Sequence, residues 1–226
     1  MYFGILFQLC IGICVTKHAI LCDIYQVNNM NNVELIEIKI NELPKGEPFG
    51  VSYLSGVSSY ENIRQVLSRL VASGKLKRAT RGVYVRPKSV AYVGEVLPGS
   101  EEVVKIIAKQ TGEVITVHGA EAARQLQLTT QVPVKPIYNT SGTSRELKIG
   151  KQTVVLKHIS PRKQVKPGTM TCTVIAALWY LGKSIVNQRV IKKINKQLSE
   201  EQFVELLKHT NQMPHWMSGV FENYNK

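Results

Sequence analysis

The 226-residue sequence predicts an α+β fold, and three observations carry that reading. From Ser58 to Pro87 the chain runs SSYENIRQVLSRLVASGKLKRATRGVYVRP, which is an amphipathic helix, a glycine stop and a basic hairpin in succession. Past Lys88 come two short helices and a set of strand-like runs. From Thr169 onward the apolar spacing returns to that of helices, and helices, then a small sheet, then terminal helices is an α+β order.

In the first segment Val33, Ile36, Ile40 and Leu43 are spaced like one helix. Pro44 to Pro48 reads as a loop, and Phe49 to Val57 as a short second helix. Ser55 to Ser59 is then the turn into a third helix, with Gly56 giving it conformational freedom. That third helix is the best marked: Ile63, Val66, Leu67, Leu70 and Val71 recur at i, i+3, i+4, i+7 and i+8. Ser58 or Ser59 offers a capping hydroxyl, and Gly74 a C-terminal stop. Strands Lys75 to Arg78 and Val83 to Arg86 flank a turn closing on Arg81-Gly82, and Pro87 ends the hairpin because it has no N–H for a ladder. Three helices and a wing within residues 31–88 are the parts of a winged helix-turn-helix, enough to bury one small core.

The second segment, residues 89–226, reads as a mixed α+β domain with terminal helices. Tyr92 to Leu97 leads into a helix over Ser100 to Thr111, capped by Ser100, with Val103, Val104, Ile107 and Ala108 as its stripe. Gly112 stops it; Val114 to Val117 is a strand and Gly119 to Leu128 a helix. Three strand-like runs follow, at Val134 to Tyr138, Arg145 to Ile149 and Thr153 to His158, with Gly150-Lys151 as a hairpin turn. Met170 to Leu181, Asn187 to Leu198 and Ser199 to Thr210 are helical, the last opening on a capping box of Ser199 and Gln202. No internal repeat or low-complexity segment is present.

Charge is unevenly placed. The net +13 gathers in three stretches. Pro44 to Lys88 holds nine Lys/Arg against Glu47 and Glu61, Lys135 to Lys166 eight against Glu146, and Lys183 to Lys196 five against none. Clustered cations beside a wing point to a polyanion, with nucleic acid favoured over membrane lipid. Off the apolar stripe of the third helix lie Tyr60, Arg64, Gln65, Ser68 and Arg69, which can hydrogen-bond base edges and phosphates.

Residues 1–30 read as a separate apolar leader. Met1 to Thr16 has no charged residue, but it falls short of the roughly 20 residues that cross a bilayer and lacks the cationic start and cleavage pattern of a secretory signal. The expectation is a mis-assigned start with Met30 as initiator, or a disordered leader. Cys10, Cys14 and Cys22 lie there, leaving Cys172 alone in the body, within an apolar helix. One thiol makes neither an internal disulfide nor a zinc site, so core packing in a cytoplasmic protein is expected.

The run IRQVLSRLVASGKLKRATRGVYVRP, followed by YNTSGTSRELKIGKQTVVLKHISPR and by MPHWM near the end, resembles the AbiEi family of antitoxins from bacterial type IV toxin-antitoxin (abortive infection) systems, in particular its short relatives with an AbiEi-like antitoxin domain. The resemblance covers about residues 31–217. It implies a DNA-binding antitoxin whose winged helix binds inverted repeats in the promoter of its own operon. Its C-terminal domain would counter a nucleotidyltransferase toxin without a stable complex. Carried onto this chain, DNA reading falls to Tyr60, Arg64, Gln65, Ser68 and Arg69, and wing contacts to Lys77, Arg78 and Arg81. Arg145, Lys148, Lys157, Arg162 and Lys163 would form a basic surface on the second domain.

An enzyme reading fails on composition. SGTSR at Ser141 to Arg145 has a faint likeness to the loop that opens nucleotidyltransferase sites, a chemistry that needs clustered carboxylates around metal ions. The chain's single aspartate is Asp23, in the leader, and Glu146 stands alone near the loop. His118 and His158 are isolated, and His209 and His215 do not have zinc spacing. No catalytic residue, metal or cofactor is expected. Trp179 reads as core and Trp216 as docked on the second domain, rather than as a stacking platform. The alternative function is a winged-helix regulator whose second domain senses a ligand or dimerises, with an RNA-binding module third.

Overall fold

The computed structural model describes residues 31–92 and 94–224, so the expectations for the leader lie outside the described residues. The protein is a mixed α+β molecule built on three apolar cores.

The first core is wrapped by α1 (Asn32–Glu42), β1 (Pro48–Gly50), a 3-10 turn (Val51–Leu54), α2 (Tyr60–Ala72), β2 (Lys77–Thr80) and β3 (Val83–Val85). Ile36 and Ile40 of α1 meet Ile63, Val66, Leu67 and Leu70 of α2 over Phe49, Leu54 and Leu76. Capping fixes both ends of α2. The Ser59 hydroxyl accepts from the Asn62 N–H at 3.4 Å, and the Asn62 side-chain amide donates to the Ser58 hydroxyl at 2.8 Å. At the other end Gly74 takes φ 76°, which lets the Leu76 N–H return to the Leu70 carbonyl at 3.1 Å. The three strands are antiparallel in the order β1-β3-β2, with Phe49 opposite Tyr84 and Arg78 opposite Tyr84 on the other side.

Phe49 to Val57 is therefore not the helix that its apolar content suggested. Pro48, Phe49 and Gly50 are all buried in β1, so this run carries the continuous burial of a covered strand rather than a helical stripe. Only Val51–Leu54 coils, as one 3-10 turn. Cross-strand pairing with β3 overrides local propensity here.

A second two-stranded unit, β4 (Lys88–Val90) with β5 (Gly94–Val96), follows where the sequence showed only a connection. Next come α3 (Ser100–Thr111), β6 (Ile115–Val117), α4 (Gly119–Gln125), β7 (Ile137–Thr140), β8 (Arg145–Ile149) and β9 (Gln152–His158). The N-cap of α3 is Gly99, one residue before the expected Ser100, whose hydroxyl instead meets the Tyr138 hydroxyl at 3.3 Å. The sheet order is β6-β7-β9-β8, antiparallel except for β7 beside β9. One face of it, Tyr138, Leu147, Ile149, Val154 and Leu156, packs on Val103, Val104 and Ile107 of α3. Ala79 and Val83 of the β2-β3 hairpin belong to the same core. The two segments are thus joined by shared burial across residue 88.

The third core is helical: α5 (Met170–Leu181), α6 (Gln188–Gln197), α7 (Glu200–Lys208) and α8 (His215–Tyr224) pack with α4. Ala122 and Ala123 face Ala176 and Ala177, and at Gly119 a methyl group would fall 2.5 Å from the Ala176 carbonyl oxygen. Ser199 and Gln202 form the expected capping box on α7. A further helix, α8, follows the three that apolar spacing marks after Thr169; Pro214 precedes its first turn, and Met217 and Phe221 fill the core. Trp216 docks edge-on against the partly buried Trp179 at 6.0 Å, and Cys172 is buried, which pushes its thiol pKa up.

Candidate nucleic-acid interface

Burial of Ile63, Val66, Leu67 and Leu70 turns the opposite side of α2 to solvent. Tyr60, Arg64, Gln65, Ser68 and Arg69 are all exposed there. The Arg64 guanidinium lies 5.6 Å from the centre of the Tyr60 ring, stacking one cation on the aromatic that opens the helix. Neither Arg64 nor Arg69 forms an ion pair among the described residues. Five side chains able to donate or accept are thus presented with no carboxylate held against either arginine.

Of the expected wing residues, Arg81 is exposed at the hairpin turn beside Gly82, which takes φ 80°. Arg78 is exposed, and its Nε donates to the Thr80 carbonyl at 3.3 Å, which folds the guanidinium along its own strand. Lys77 has a different position: it is half-exposed and ion-paired with Glu95 of β5. Two further cations counted in the basic cluster are held internally. Arg86 donates to the carbonyls of Asn41 at 2.8 Å and Leu43 at 2.5 Å, closing the C-terminal end of α1, and Lys75 pairs with Glu37 at 3.1 Å. Six cations of this cluster stay exposed and out of ion pairs among the described residues: Lys45 and Lys88 flanking it, and Arg64, Arg69, Arg78 and Arg81 on α2 and the hairpin. The hairpin turn is braced from the second segment, because Gln110 of α3 donates to the Gly82 carbonyl at 3.1 Å.

The basic residues of the second segment do not form one strip. Arg145 is half-buried and pairs with Glu113 at 2.9 Å while donating to the Thr143 carbonyl at 3.1 Å. That bond holds the Glu113 carboxyl below its ordinary range, against the opposing effect of burial. Glu113 also accepts from Thr140 at 2.8 Å, and Thr140 in turn accepts from the Gly142 N–H at 3.0 Å. The SGTSR loop is tied down by this network. Lys148 and Lys157 are exposed and share one face of the sheet, since Lys148 lies opposite Thr153 and Lys157 is four residues further along β9. Arg162 and Lys163 lie beyond, on the 3-10 turn Pro161–Lys163, with the Lys163 ammonium 4.3 Å from the Trp179 ring centre. Partnering, which decides whether a cation is free, was invisible in the sequence because Glu37, Glu95 and Glu113 lie between 18 and 38 residues from the cations they hold.

Among the described residues no group of three or more His, Cys, Asp or Glu is placed to hold a metal ion, and no helix is long and apolar enough to cross a membrane. No curated protein and no solved structure matches the chain. Residues 35–206 match a family described as a family of unknown function, DUF6088, and the chain belongs to that family.

Proposed function

We propose that this member of DUF6088 is a DNA-binding autorepressor and antitoxin. Its α1, Val51–Leu54 turn and α2 act as a helix-turn-helix, and the β2-β3 hairpin acts as a wing. The observation that carries the reading is the exposed, unpaired polar face of α2, with Arg81 on the adjoining hairpin turn. A helix fits the major groove, about 12 Å wide, where arginine can take guanine edges bidentately and glutamine can take adenine. On this assignment Arg69, Gln65, Arg64 and Ser68 read bases or position the helix, and Arg78 and Arg81 contact flanking phosphates. Lys77 contributes less, being paired with Glu95. The antitoxin half rests on the likeness of the second segment to AbiEi-type sequences. The toxin partner is then a nucleotidyltransferase encoded beside this gene, countered without a stable complex in the cytoplasm.

Gel-shift titration tests the repressor. DNA from immediately upstream of the gene should bind more tightly than random duplex; equal affinity for the two removes the repressor role. Co-expression with the neighbouring toxin should restore growth, and absence of rescue removes the antitoxin role.

A second reading, a winged-helix regulator with a small effector, has one observation in its favour. A groove of about 910 Å³ lies between α3, β6 and the start of α5, lined among others by Val104, Ile115, Thr116, Ile137 and Met170. Its volume suits a small ligand.

A further inference from the structure

Helix α6 carries Arg189, Lys192, Lys193 and Lys196 at i, i+3, i+4 and i+7, so the four cations lie on one side, within about 100° of the helix wheel. All four are exposed, and Ile191 and Ile194 on the opposite side are fully buried. Across the described molecule the cations that meet carboxylates are others: Lys75, Lys77, Lys105, Arg124, Arg145, Lys166 and Lys208. None of the four on α6 forms an ion pair among the described residues. The arrangement works against the helix itself. Arg189 and Lys193, and Lys192 and Lys196, are like charges one turn apart, which destabilises a helix. Arg189 sits in the first turn, which has no acidic residue, although the positive end of the helix dipole favours anions there.

We propose that this face of α6 is a second nucleic-acid contact, independent of α2 and the wing, that binds the phosphodiester backbone without reading sequence. Four cations in a row of roughly 10 Å match consecutive phosphates, and binding them relieves the mutual repulsion that the free helix carries. A lipid surface fits less well. The apolar side of α6 is buried in the core, leaving that helix no apolar face to lay among acyl chains as interfacial helices do.

The test uses the full chain, a random-sequence duplex DNA, the same sequence as duplex RNA, and vesicles of phosphatidylserine with phosphatidylcholine, over a salt series. Replacing Arg189, Lys192, Lys193 and Lys196 together by Gln should weaken duplex binding at least tenfold at low salt. It should also flatten the log–log salt slope by about 3.6, near 0.9 for each of the four phosphates no longer neutralised. The tighter of the two duplexes identifies the source of the backbone. A control variant with Lys75, Lys105, Lys166 and Lys208 changed to Gln removes the same charge and should keep the parent slope. Thermal melting of the α6 variant should be no lower than that of the parent. If it is lower, the Lys192→Gln/Lys193→Gln pair gives the reading, with about half the slope change. Equal weakening in the α6 and control variants, an unchanged duplex slope, or loss confined to vesicles overturns the proposal. Because random duplex is the probe, loss of operator preference through α2 leaves this result readable.

Discussion

Glu113 is a single carboxylate that organises a loop. It holds Arg145 at 2.9 Å and Thr140 at 2.8 Å, and its own burial is tolerable only because both partners are present. Glu113→Gln should lower stability by about 1–2 kcal/mol in urea unfolding. A methyl group at Gly142 would collide with the Glu113 carboxylate, so Gly142→Ala attacks the same network. The two losses should combine to less than their sum in a double-mutant cycle, because they break one set of bonds. The bound carboxylate also sets an acid limit. Its folded pKa lies below the ordinary 4.5, so its contribution is complete above that value and is lost as pH falls through the folded one. His118 behaves as a base kept neutral. Its Nδ1 accepts from the Ala120 N–H at 3.3 Å at the start of α4, and burial, with Lys157 nearby, lowers its pKa from 6.5. The unfolded chain takes up that proton first, so stability should begin to fall as pH drops below about 6.5. His118→Asn, which retains a capping group, should flatten that part of the pH–melting curve; an unchanged curve would show that His118 is not its source.

Elements whose period repeats were legible in the sequence. The i, i+3, i+4 spacing of Ile63 to Leu70 gave α2 its span and its buried face, and Met170–Leu181 and the Ser199 capping box appear where they were expected. Elements defined by contact were not. β1 is a three-residue strand that exists because Phe49 pairs opposite Tyr84, 35 residues away in sequence, and no local pattern announces that. Nor does spacing reveal that β7 runs parallel to β9, or that Arg86 closes α1. At the candidate interface, the sequence identified the exposed face of α2, whereas the internal partners of Lys77 and Arg145 emerged only from the fold. The helix pair α4 and α5 offers a test at this scale. Its close approach depends on Gly119 lying against the Ala176 carbonyl and Tyr180. Gly119→Ala has to separate two backbones, and thermal unfolding should show a loss of about 1–3 kcal/mol. Full stability in that variant would contradict the close packing.

For the whole molecule, the consequence is that the hairpin and the second segment are one mechanical unit. Ala79 and Val83 share a core with α3 and the four-stranded sheet, and Gln110 holds the hairpin turn at the Gly82 carbonyl. A fragment of residues 31–88 loses that cover. Its β3 amides should exchange with solvent much faster than in the full chain, and equal protection would show the hairpin to be self-supporting. This bracing holds the turn that carries Arg81 in fixed relation to the body of the protein. The central claim, that α2 reads duplex DNA while the hairpin turn grips its backbone, is tested most directly by a salt series of binding isotherms. These compare the parent, Arg69→Ala and Arg81→Ala on the gene's own upstream duplex and on a random one. Arg69→Ala should cost about 1–3 kcal/mol on the upstream duplex and narrow its advantage over the random one. Arg81→Ala should weaken both duplexes alike and reduce the salt slope by about 1. Parent-like affinity, preference and slope in both variants would contradict the account.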